Sequence, residues 1–301
     1  RNPMSRLYNV HTKIGDKIIV SIHEEDNNIQ SISIYNYQKE KVVYVLIISF
    51  FLLLILLSGW KGLYAVISLI FTGIAIIFFM MPMLFKGYEP IPITILTVAI
   101  TTIVTLLLID GPSKKTLSAI LGTIVGVIIA GAISYIASNI ANISGLTSNE
   151  AEGLIYIAEH RNVKIKGLTF SAILIASLGA IMDVAMSIAS SIFELDKTNP
   201  KNSSNELFKS GMNIGKDIMG TMSNTLILAF AGSSLNMIIL IIAYGMPYRQ
   251  VINLDFLVAE IIQGMSGSIG IVLTVPITAI ISSKMAKKVN SEESPTKLKS
   301  K

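Results

Sequence analysis

Residues 42–60 read "VVYVLIISFFLLLILLSGW", a run without a single charge. As a helix rising 1.5 Å per residue it covers about 30 Å, the thickness of bilayer hydrocarbon. Its Leu, Ile and Phe surround every side, as expected of a helix that faces lipid. The rest of the chain agrees. Of 301 residues, 52% are hydrophobic and only 14% charged, with mean hydropathy +0.66. A soluble domain carries about 25% charged residues.

Six further spans follow outward from this one, at about 63–85, 90–109, 115–141, 168–193, 218–245 and 256–283. The fold class is therefore an all-α membrane bundle of about seven transmembrane helices. The fourth to seventh spans are rich in Gly, Ala, Ser and Thr, as in helices that pack on helices. Residues 1–40 form a different segment. "KIGDKIIVSIH" (13–23) and "IQSISIYNY" (29–37) alternate apolar and polar residues beside Gly-Asp and Asp-Asn-Asn turn signals. They read as strands at the end of an extracytoplasmic β-rich segment. The chain opens on Arg1, which removal of an initiator Met does not normally expose, so an upstream signal or anchor helix is expected.

Lys284, Lys287, Lys288, Lys297, Lys299 and Lys301 place the tail, residues 286–301, in the cytoplasm. Counting back through seven spans puts the N-terminal segment outside a plasma membrane. Lys114 and Lys115 then lie inside, as do Lys197, Lys201, Lys209 and Lys216. The exception is Arg161, Lys164 and Lys166, in an outer loop. There Thr147 to Glu150 fits a capping box, and Ala151, Leu154, Ile155 and Ala158 give one apolar face of a surface helix. His160 reads as a solvated loop residue.

The fifth span carries "GAIMDVAMSIASS" (179–191). Asp183, Ser187, Ser190 and Glu194 fall at offsets of zero, four, seven and eleven, a single helical stripe. Ile181, Val184 and Ile188 take the opposite side. A bare carboxylate in hydrocarbon is costly and marks a functional site by default. We read Asp183 as a proton or cation site, with Ser187 and Ser190 as hydrogen-bond partners. In the sixth span Asp217, Thr221 and Asn224 form a similar stripe. Asn224 can donate and accept, so it is expected to bridge to Asp183 across the helix pair with a depth mismatch of about 5 Å. Asp217, Thr221 and Glu194 would line the cytoplasmic route.

Ser118, Gly122, Gly126, Ala130 and Ser134 recur every fourth residue in the fourth span, a close-packing seam. Gly264, Gly267, Gly270 and Pro276 punctuate the seventh, either as tight packing or as the hinge of a flexible transporter helix. Thr274 is expected to help compensate the hydrogen bond that Pro276 removes. Glu260 is a charge near the outer end.

"GPSKKT" (111–116) lacks the first Gly of a phosphate loop and joins two membrane helices, so its lysines read as cytoplasmic anchors. There is no Cys and there are only three His. This excludes thiolate chemistry and supports neither a metal nor a cofactor. No nucleophile–base cluster stands out, so an enzyme is not expected. The net charge of +5 is a topology signal and not a nucleic-acid footprint. The partners expected are the lipid bilayer, a proton or small cation, and a further copy or another membrane protein. The competing function is an accessory protein that assembles with partners and transports nothing.

Three stretches carry a resemblance: "GAIMDVAMSIASSIFEL" (179–195), "SGMNIGKDIMGTMSNTLILAFAGSSL" (210–235) and "GMSGSIGIVLTVPITAII" (264–281). They resemble the YibE/F-like family of bacterial multi-pass membrane proteins, over roughly residues 40–285. The resemblance implies an extracytoplasmic segment ahead of the helices. The order of an Asp helix, a cytoplasmic loop and a polar-starting helix is also similar to the second half of resistance-nodulation-division permeases and to the SecF component of the protein translocase. That likeness implies that Asp183 stands where those proteins place a proton-relay Asp.

Overall fold

The computed structural model describes residues 12–25, 28–143, 164 and 167–293, excepting the side chains of Glu25, Asn28, Thr169 and residues 288–293. The expected helix at 147–158, His160, Arg161, Lys166 and the tail beyond 293 lie outside the described residues. The chain divides into two compact units, Arg1–Val66 and Ile67–Lys301.

In the first unit, β1 (Ile18–Glu25) and β2 (Asn28–Tyr37) pair antiparallel, with irregularities at Ile19/Val20 and His23/Glu24. Ile22, Ile29, Ile32 and Tyr35 of this ribbon are exposed. Then α1 (Glu40–Ile74) begins. It is broken at Gly59, where φ is 58° and ψ is −135°, a backbone conformation that side chains resist. The break folds the chain sharply back. A β-carbon on Gly62 would collide with the carbonyl group of Leu54, whereas residues eight apart in a straight helix are separated by about 12 Å.

Beyond residue 66 come the rest of α1, a π-helical segment (Ala75–Met80) and α2 (Met81–Phe85). The bundle continues with α3 (Pro90–Asp110), α4 (Lys114–Ile140), α5 (Leu168–Thr198), α6 (Ser204–Ser233), α7 (Leu235–Ala243), α8 (Tyr248–Val251) and α9 (Asp255–Glu293). Local chemistry sets their starts. Pro90 opens α3, where its missing N–H costs nothing. Ser113 caps α4 by accepting the Thr116 N–H at 3.0 Å. Ser203 and Glu206 form a reciprocal capping box at α6, at 2.6 and 3.2 Å.

Among the described residues, five helices are long and apolar enough to cross a membrane, with Glu40–Phe85 counted as one of 46 residues. A sixth candidate is the pair α6 and α7, bent by 58°. The sequence pattern anticipates one helix through this point. The bend falls where the Ser233 and Ser234 hydroxyls both donate to the Phe230 carbonyl, at 2.7 and 3.0 Å, and so compete with the backbone ladder.

The core lies where α9 packs against α4, α5 and α6, with α4 also on α5 and α3 on α4 and α5. Ile173, Leu174, Ile181, Ile188, Ile192, Leu207, Ile271 and Val275 are fully buried there. Burying each such side chain contributes about 1.5–3 kcal/mol relative to water. Within hydrocarbon the sorting depends instead on close contact between helices.

Candidate functional site

On α5 the greasy face turns inward. Ile181, Val184, Ile188 and Ile192 are fully buried. Asp183, Ser187 and Glu194, on the opposite side, are exposed, and Ser190 is half-buried. The polar stripe therefore points away from α4, α6 and α9. The Asp183 carboxylate and the Ser187 and Ser190 hydroxyls make no hydrogen bond or ion pair within the described residues. Near its C-terminal end the stripe runs into a cavity of about 840 Å³, whose lining includes Ser190, Glu194, Asp196, Lys197, Lys115 and Ile214.

Asn224, Thr221 and Asp217 share the outer face of α6 and are likewise exposed. The Thr221 hydroxyl donates to the carbonyls of Asp217 and Ile218, at 3.2 and 3.1 Å. The expected bridge from Asn224 to Asp183 does not form. Gly211 packs on Ile192 and Gly215 on Ile188, a register that sets Asp183 level with Gly220. Asn224 stands one turn, about 6 Å, further along. The physical reason is competition between two faces. Each helix carries its polar stripe opposite its apolar or small-residue face, and only one face can enter the core. Gly211 and Gly215 meet the isoleucines closely enough to win that place.

The glycines mark contacts. Side chains at Gly122 and Gly126 would collide with Thr278 and Thr274 of α9. A β-carbon at Gly270 would stand 2.7 Å from Ala130, and one at Gly267 would stand 2.5 Å from the Ser177 hydroxyl. Gly264 only touches Phe230, at 3.5 Å. The helix runs unbroken through Pro276. The Thr274 hydroxyl donates to the Gly270 carbonyl at 2.7 Å. The carbonyl that Pro276 leaves without its i+4 donor is a different one, that of Val272.

Sequence reasoning missed two features. The first is a layer of hydroxyls. Ser134, Ser177, Ser223 and Ser268 have buried oxygens with no hydrogen-bond partner among the described residues. Following the contacts Ala130–Gly270, Ser177–Gly267 and Leu226–Gly267 places these serines, one from each of four helices, within about a turn of one level. Glu260 lies two turns toward the N-terminal end of α9, beside Ser234, with Oε2 buried and without a partner among the described residues. The serine and threonine content of these spans was the available signal; the register that aligns them is tertiary.

The second feature is an ion pair between Lys287 and Asp196, at 2.5 Å, with the lysine also donating to the Pro200 carbonyl at 2.9 Å. It ties α9 to the end of α5. Lys115 pairs with Asp110 at 3.0 Å. The Lys164–Glu89 pair is at 2.5 Å. The Asp196 side chain is only 9% exposed, so removing Lys287 takes a compensating charge away from a nearly buried carboxylate. Lys287→Met should lower stability by about 1–3 kcal/mol, below the 3–5 kcal/mol of a fully buried pair. Thermal unfolding in detergent checks this, and an unchanged melting temperature would refute it. No group of three or more His, Cys, Asp or Glu able to hold a metal occurs among the described residues.

A family model described as YibE/F-like protein matches residues 46–288 of the chain. Nothing matches it among curated proteins or among solved structures.

Proposed function

We propose that this chain, which belongs to the YibE/F-like family, is a permease-like membrane protein that moves a proton or small cation along the polar face of α5. The observation that supports it is the Asp183 carboxylate, mid-helix in an apolar bundle, on a stripe that leads through Ser187 and Ser190 to the cavity at Glu194. Carboxylates at such depth are rare where they serve no transport or pairing role.

In this reading the chain crosses the membrane seven times. The break at Gly59 makes two spans of Glu40–Phe85, and the bent pair α6 and α7 makes one. The N-terminal ribbon lies outside a plasma membrane and the tail inside. Asp183 binds the proton or cation, Ser187 and Ser190 continue the polar track, and Glu194 stands at the cytoplasmic mouth. Asp217, Thr221 and Asn224 provide a second polar track on α6. The chain works by binding and translocation, without a catalytic residue or cofactor. Purified protein in vesicles loaded with a pH-sensitive or a sodium-sensitive dye, under an imposed proton or sodium gradient respectively, tests the reading. Gradient-driven flux above that of empty vesicles is expected, and its absence for both ions would overturn it.

A second reading has its own support. A polar stripe left open on the outside of the bundle is also what an assembly subunit would present. On that reading Asp183 and Asn224 pin a partner helix and no ion moves.

A further inference from the structure

We propose that the open face of α5 is an interface with a second copy of this chain, and that the Asp183 site is complete only when the two copies meet there. The composition of the surface argues against lipid as its occupant. Where other helical segments of this unit present an outer surface, they expose large apolar residues, such as Phe78 at 73%, Ile140 at 76% on α4 and Ile242 at 73% on α7. No large hydrophobic residue of α5 is exposed. Its open face is Ala172, Ala176, Gly179, Asp183 and Ser187. A carboxylate facing hydrocarbon costs several kcal/mol, and small residues there forgo contact with lipid chains. Small residues spaced three and four apart are instead what lets two helix backbones approach in a membrane.

The composition of the stripe argues for a like face as its partner. Two copies inserted in the same orientation and related by a twofold along the membrane normal set each residue at the depth of its own equivalent. Among the described residues Asp183 is an acceptor without a donor, and Ser187, one turn along, is a donor without an acceptor. Across a close parallel pair, neighbours one turn apart come within reach. Asp183 of one copy then accepts the Ser187 hydroxyl of the other, twice by symmetry. The stripe is thus complementary to itself in hydrogen bonding. A β-carbon on Gly179 would meet nothing within 4 Å, so the same-chain neighbours α3 and α6 leave that position open to a second helix.

The inference rests on the permease reading only for what the paired carboxyls do; the contact is tested without any flux. The chain has no cysteine, so single substitutions report contacts unambiguously. Gly179→Cys and Ser187→Cys are oxidised in native membranes and compared with Leu121→Cys. Leu121 is exposed on α4 and, by the Gly126–Ile181 contact between antiparallel helices, lies near the level of Ser187. A disulfide forms only where Cα atoms come within about 7 Å. Both α5 variants are expected to give a product of twice the chain mass, at a yield at least about tenfold above Leu121→Cys. No product from either, a yield equal to that of Leu121→Cys, or a product of any other mass would overturn the proposal. The last outcome would assign the face to a different protein. Crosslinking that persists while the wild type shows no ion flux would sink the permease reading and leave the interface standing.

Discussion

Asp183→Asn is expected to reduce proton- or cation-driven flux in vesicles to the level of empty liposomes, a loss on the order of 10²–10⁴, the range for removing an essential proton-transferring group. Insertion and folding of each chain should persist. The structure supplies the reason for that separation. Asp183 is exposed and makes no hydrogen bond or ion pair among the described residues. Asparagine nearly preserves its shape, and substitutions at such positions usually change stability by less than about 0.5 kcal/mol. Asp183→Glu keeps the carboxyl and is expected to retain measurable flux. Flux through Asp183→Asn at the wild-type rate would remove Asp183 from the route. A variant that inserts but no longer assembles, beside a wild type that moves no ion, would establish the accessory reading.

Most elements of this fold were legible in the sequence, the early start of α6 and its break from α7 excepted, and the direction of their faces was not. Uncharged apolar runs locate the helices, because a helix that crosses about 30 Å of hydrocarbon needs about 20 predominantly apolar residues. The break between the first two runs is written in "SGWKG", and the structure puts it at Gly59. Helical periodicity likewise gathers Asp183, Ser187, Ser190 and Glu194 on one stripe. Periodicity says that two residues share a face; it does not say whether that face meets the core. In water the polar side would be the outer one by default. In a membrane either face of α5 could have turned inward, and the choice rests on how Ile188 and Ile192 fit against Gly215 and Gly211. The Lys287–Asp196 pair and the four-serine layer were hidden for the same reason. Each joins residues far apart in sequence through a register that only the packed bundle defines.

The second large effect concerns that packing. Gly126→Ala should destabilise the bundle, although alanine favours a helix over glycine by about 1 kcal/mol. A β-carbon at Gly126 would overlap the Thr274 hydroxyl and stand 3.2 Å from Thr274 Cβ and 3.1 Å from Ile181 Cγ2. Thr274 cannot swing clear without cost, because it is fully buried and its hydroxyl donates to the Gly270 carbonyl. Overpacking of this kind typically costs 1–3 kcal/mol, so a net loss of up to about 2 kcal/mol remains after the gain in helix propensity. Thr274→Ala removes the overlapping oxygen. In the background of Thr274→Ala, Gly126→Ala should therefore cost less than it does alone, with a coupling of about 0.5–3 kcal/mol between the two sites. The more severe Gly126→Leu leaves no such escape, since Ile181 closes the other side, and it should prevent recovery of folded protein. Melting temperatures of the two single variants and the double variant in one detergent measure the coupling. Strictly additive changes would show that α4 and α9 do not meet at this seam. Loss of flux in Gly126→Ala without loss of stability would instead make the seam a moving joint.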